Sequence, residues 1–89
     1  MNKCTVKKMF EVIVNQSPIA EKDFLPEHEI FFAVINQTLK DLLSKNGPER
    51  RSAINYFNGR IFENHAGMLE IDPEAVIYTM KQGGFTLDE

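Results

Sequence analysis

The chain has 89 residues, of which 43% are hydrophobic and 26% charged, with a formal net charge of −3 and a pI near 5.3. That length holds one small domain and not two, and the composition excludes disordered, collagen-like and mucin-like classes. A net acidic balance also weighs against a protein whose affinity comes from covering phosphates with Lys and Arg.

The Met-Asn-Lys-Cys start has no apolar stretch ahead of a cleavage site. The longest apolar run, Ile30 to Ile35, is six residues, against the roughly 20 that a bilayer requires. A lone cysteine, Cys4, makes no internal disulfide and suits a reducing compartment. The expectation is therefore a cytoplasmic protein of one helical domain, residues 1–89, with no membrane partner.

In chain order, Val6, Met9, Phe10 and Ile13 fall at helical spacing. Phe10 to Val14 also alternates apolar residues with Glu11 and is rich in β-branched side chains, so residues 3–15 fit a helix, the favoured reading, or a strand. Ser17-Pro18 reads as a cap and first position of a short turn through Phe24. Pro26 then starts a helix, with Glu27 and Glu29 facing its positive end. Ile30, Phe31, Val34, Ile35, Thr38, Leu39 and Leu42 recur at steps that carry an amphipathic helix to Leu43 or Ser44. Asn46-Gly47-Pro48 supplies a turn into a helix from Pro48 to Phe57 that buries Ala53, Ile54 and Phe57. That helix stops at Asn58-Gly59, two residues tolerant of positive φ.

The last third carries the pattern of a helix-turn-helix corner. Such a corner needs a small residue where two helices approach, an apolar residue three positions on, a left-handed turn residue, and apolar residues that bury the second helix. Ala66, Leu69, Glu70, Ile71 and Val76 fill these places, with Ala75 and Met80 continuing the inner face. Asp72 and Pro73 then cap and start a helix to about Gln82, which closes at Gly83-Gly84. Glutamate is unusual at the turn, because positive φ costs a non-glycine residue about 1 kcal/mol.

Charge is divided along the chain. Lys45, Arg50, Arg51 and Arg60 face only Glu49 in their stretch, whereas Ile61 to Ala75 holds Glu63, Glu70, Asp72 and Glu74. If the corner reads DNA, Arg50, Arg51, Arg60 and Lys81 are its expected nucleic-acid contacts. The outer face of the second helix, with Asp72, Glu74, Ile77, Tyr78 and Lys81, suits base and phosphate contacts poorly. The apolar content of the two central helices exceeds what one face of each buries, which predicts an aromatic partner surface centred on Phe32 and Tyr56 for a protein partner or a second copy.

No catalytic, cofactor-binding or metal site is expected. His28 and His65 stand apart, Cys4 has no histidine nearby in sequence, and NGPERR lacks the strand-to-helix setting and the Lys-Ser/Thr of a nucleotide loop. No small-molecule substrate is indicated either.

Residues Ala33 to Val76, about half the chain, resemble a pattern in small phage and prophage proteins of unassigned function. The pattern is an apolar helix, an Arg-Arg-x-Ala-x-x-aromatic-aromatic segment, and a Phe…Gly-Leu-Asp-Pro-type corner, read here as RRSAINYF and IFENHAGMLEIDPEAV. Asn55-Tyr56-Phe57 stands where the pattern often has tryptophan, and Leu69-Glu70-Ile71 replaces leucine-glycine-leucine. The resemblance implies a phage context, in which small acidic proteins often bind a host or phage protein. Together these readings predict an all-α bundle of four or five helices with a helix-turn-helix-like C-terminal pair. Its expected role is that of a non-enzymatic regulatory or interaction protein, with a DNA-binding regulator as the alternative.

Overall fold

A computed structural model describes residues 5–21 and 25–87 of the chain, and every regular element among them is helical. The order is α1 (Val6–Asn15), a 3-10 turn (Pro18–Glu21), α2 (Pro26–Leu42), α3 (Gly47–Asn58), α4 (Arg60–Met68) and α5 (Pro73–Gln82). No helix among the described residues is long and apolar enough to cross a membrane. Cys4, and the continuation of the 3-10 turn through Phe24, lie outside the described residues.

The first segment is a helix rather than a strand. Thr5 caps it, accepting the Lys8 N–H at 3.1 Å. Met9 and Ile13, one turn apart, are buried, with Val6, Phe10 and Val14 packed partly against the same core. The β-branched run is tolerated because its side chains gain tertiary contacts that outweigh a small propensity deficit.

Leu25 leads into α2 in an extended conformation with Pro26 at the first helical position, as the sequence requires. Leucine has no side-chain acceptor for a cap. Instead the imidazole of His28 folds back, its Nδ1 accepting the Leu25 N–H at 3.1 Å. His28 thus serves the helix end.

The buried stripe of α2 is Phe32, Ile35, Leu39 and Leu42, while Ile30 is 62% exposed and Phe31 half-buried. The stripe is therefore rotated by about one residue from the one centred on Phe31. The inward face of α2 is set by α3 and α1, against which it chiefly packs. On one side Phe32 meets Phe10 of α1 edge to face, with ring centroids 6.3 Å apart. On the other, Phe31 meets His65 of α4 at 4.9 Å.

The turn from α2 to α3 is held by polar side chains. The Ser44 hydroxyl donates to Glu49 Oε2 at 2.6 Å and accepts the Asn46 N–H at 3.0 Å, and Asn46 Oδ1 accepts the Glu49 N–H at 3.1 Å. Asn46 is thereby the N-cap, and the helix begins at Gly47, one residue before Pro48.

Gly59 both ends α3 and starts α4, at φ −109° and ψ 179°. The expected positive φ is absent. Glycine is favoured here by proximity: a Cβ at this position would lie 3.0 Å from the Asn55 carbonyl oxygen, a tight contact with backbone. After α5 the chain returns to the core, where Phe85 and Leu87 are buried and the Leu87 carbonyl accepts from Asn58 Nδ2 at 2.9 Å. The Cα radius of gyration is 12.5 Å, close to the value of about 12 Å expected of one domain this long.

Candidate functional site

The α4–α5 corner is a Schellman turn built on glutamate. The Ile71 N–H donates to the Ala66 carbonyl at 2.8 Å and the Glu70 N–H to the Gly67 carbonyl at 3.1 Å. Glu70 sits between them at φ 56°, the only non-glycine residue with positive φ among the described residues. Ala66, Leu69, Ile71 and Val76 are all buried. The close approach needs a side chain as small as Ala66, and the two carbonyl contacts need the left-handed residue at Glu70.

The same motif recurs at the end of α5. Phe85 donates to the Met80 carbonyl at 3.0 Å and Gly84, at φ 90°, to the Lys81 carbonyl at 3.1 Å. Here the left-handed position is glycine, as the motif prefers.

The corner is anchored from outside. Ser17, 2% exposed, donates its hydroxyl to the Leu69 carbonyl at 2.6 Å. That carbonyl belongs to the C-cap of α4, one of the groups a helix end leaves without an intrahelical partner. Ser17, immediately before the 3-10 turn, therefore bonds 52 residues along the chain.

Beyond the corner, Asp72 caps α5 by accepting the Glu74 N–H at 3.0 Å, with Pro73 at the first position. A groove of about 550 Å³ opens between this end of α5 and the junction of α3 and α4. Phe62, Pro73 and Ile77 contribute apolar surface to it, and Glu63, Asp72 and Glu74 contribute carboxylates. Among the described residues, no Lys or Arg lines it. The groove brings Glu63 of one helix beside Asp72 and Glu74 of the next, a juxtaposition foreshadowed only by the acidic run from Ile61 to Ala75.

The residues proposed for DNA lie on three helices, Arg50 and Arg51 on α3, Arg60 on α4 and Lys81 on α5. Arg50, Arg51, Arg60 and Lys81 are all exposed. Arg50 turns back to the α2–α3 turn, where its Nη1 donates to the Ser44 carbonyl at 2.8 Å. Arg60 starts α4, after the far end of α3; the eight-residue rise from Arg50 to Asn58 alone is about 12 Å. Lys81 lies in the last turn of α5, at the opposite end from the acidic groove.

The aromatic surface expected at Phe32 and Tyr56 is arranged differently. Phe32 is 4% exposed and belongs to the core, so it cannot centre a surface. Tyr56 is half-buried, and its hydroxyl lies 2.8 Å from Nδ1 of His65. Burial pushes the Tyr56 pKa up from 10 to about 12. The hydroxyl and Nδ1 share one hydrogen bond, whose donor is set by the imidazole tautomer. His65 is covered by Phe31 on one side and by Tyr56 on the other, with ring centroids 5.7 Å apart in the second pair.

Large apolar side chains do reach the surface, at positions the aromatic reading passed over. On α4, Ile61 and Met68 are 61% and 55% exposed. Spaced seven residues apart, they flank His65 along one stripe. Comparison of the chain with protein-family models, with curated proteins and with solved structures finds no match in any of the three.

Proposed function

We propose that this chain is a small non-enzymatic regulatory or interaction protein that acts by binding another protein. The observation that carries the reading is the character of α5 where a DNA-reading helix would meet its target. Its N-terminal turn bears Asp72 and Glu74, Glu63 faces the same groove from α4, and Pro73 and Ile77 add apolar surface between them. Phosphates and base acceptors are repelled by carboxylates so placed, whereas a protein side chain is accommodated. The exposed Ile61 and Met68 supply further apolar contact area. On this reading the helix-turn-helix corner is a device for closing the core, and the Tyr56–His65 pair is structural. A cytoplasmic setting, a phage context and a dimeric or heteromeric state belong to the same proposal.

The alternative, a DNA-binding regulator, is favoured by one feature, the α4-turn-α5 geometry itself. Capture from a lysate of the source organism, run beside a duplex shift assay at two salt concentrations, separates the two. A captured protein and no shifted duplex support the proposal. A salt-dependent duplex shift that weakens when Arg50 and Arg51 are both replaced by alanine overturns it.

A further inference from the structure

Resting on the protein-binding reading, we infer that the groove beside the first turn of α5 takes a cationic segment of a partner protein, one in which Lys or Arg flanks an apolar side chain. Two independent features point to that occupant. The first is shape and polarity: a groove of about 550 Å³ with Phe62, Pro73 and Ile77 in its lining offers apolar contact in a concavity. The second is charge. Glu63 of α4 and Glu74 of α5 are exposed, Asp72 adds a third carboxylate, and among the described residues no Lys or Arg lines the groove to balance them.

The carboxylates are available for this role. Asp72 uses one oxygen on the Glu74 N–H and retains the other. Glu74 participates in the cap through its backbone only. A carboxylate rim favours encounter with a cation and rejects an anionic competitor, while the apolar floor supplies contact that charge alone does not. An acidic peptide, a nucleic acid and an anionic lipid surface are all disfavoured by the same rim. An uncharged apolar helix would gain nothing from it.

The probe is a fluorescein-labelled peptide with a leucine-phenylalanine pair between runs of lysine and arginine. Its controls carry glutamate in place of the basic residues, or two serines in place of the apolar pair. Binding is read by anisotropy at about 50 mM salt, where surface charge is only partly screened. The wild-type chain binds the basic peptide and not the glutamate peptide, and the serine peptide binds roughly tenfold more weakly. Glu63→Gln with Glu74→Gln, which leaves the Asp72 cap in place, weakens the basic peptide by roughly three- to tenfold.

Glu27→Gln with Glu29→Gln on α2 removes the same charge elsewhere and leaves affinity unchanged. Helical circular dichroism confirms that both double variants are folded. Absence of wild-type binding, or equal losses from the two double variants, overturns the inference. The first outcome with protein capture intact removes only this occupant, whereas a salt-dependent duplex shift removes the protein-binding reading beneath it.

Discussion

The hydroxyl of Ser17 lies 2.6 Å from the carbonyl of Leu69, and this bond ties the N-terminal third of the chain to the corner between α4 and α5. Both ends are buried, so replacing the donor leaves a carbonyl with neither water nor a hydroxyl. Ser17→Ala is expected to destabilise the domain by about 1–3 kcal/mol. Urea denaturation checks this, and a loss below about 0.5 kcal/mol would mean that the carbonyl finds another donor.

Leu69 and Ile71 flank the left-handed residue and are 0% and 5% exposed. Leu69→Ala and Ile71→Ala are each expected to cost ~2–4 kcal/mol, from lost burial and the cavity left behind. Losses under about 1 kcal/mol in both variants would show that the two helices do not meet through these side chains.

The paired Schellman turns allow an opposed experiment. At Glu70, φ 56° strains a residue with a Cβ, so Glu70→Gly is expected to stabilise the domain by about 0.5–1 kcal/mol after allowance for the greater freedom of glycine in the unfolded chain. At Gly84, φ 90° suits glycine, so Gly84→Ala is expected to destabilise by about 1 kcal/mol or more. Thermal melts of both variants give the two signs directly. Changes of the same sign would contradict the shared motif.

Much of this architecture is legible from residue types alone, and the parts that are not have physical reasons. Pro26 and the long periodic run mark α2, and Ala66, Leu69, Ile71 and Val76 mark the corner, because helix starts and helix-helix approaches impose local requirements. Which of Phe31 and Phe32 faces inward depends on where α1 and α3 press against α2, which local periodicity does not encode. The Ser17–Leu69 bond and the Tyr56–His65 pair join separate elements, so spacing within a helix gives no sign of them. Gly59 misleads because glycine answers two needs, positive φ and close approach, and only the second operates here.

Tyr56 offers a pH test. Its folded pKa of about 12 exceeds the unfolded value of 10, so the folded state holds the proton more tightly. The resulting stability is fully present below pH 10 and is lost as pH rises toward 12. The chain has two tyrosines. In a Tyr78→Phe background, tyrosinate absorbance therefore reports Tyr56 alone, and its midpoint is expected well above 10. A midpoint at 10 in the folded protein would contradict the burial of the hydroxyl.

On the proposed reading, the α4–α5 corner closes a core and presents an acidic groove rather than reading DNA. The most direct test of that reading is anisotropy of a labelled mixed-sequence duplex, titrated with the wild-type chain at low salt, near 20 mM on the order used to expose phosphate contacts. No binding is expected there. Binding that falls steeply with added salt, and whose salt dependence drops by about one to two counterions in the Arg50→Ala, Arg51→Ala double variant, would contradict the reading.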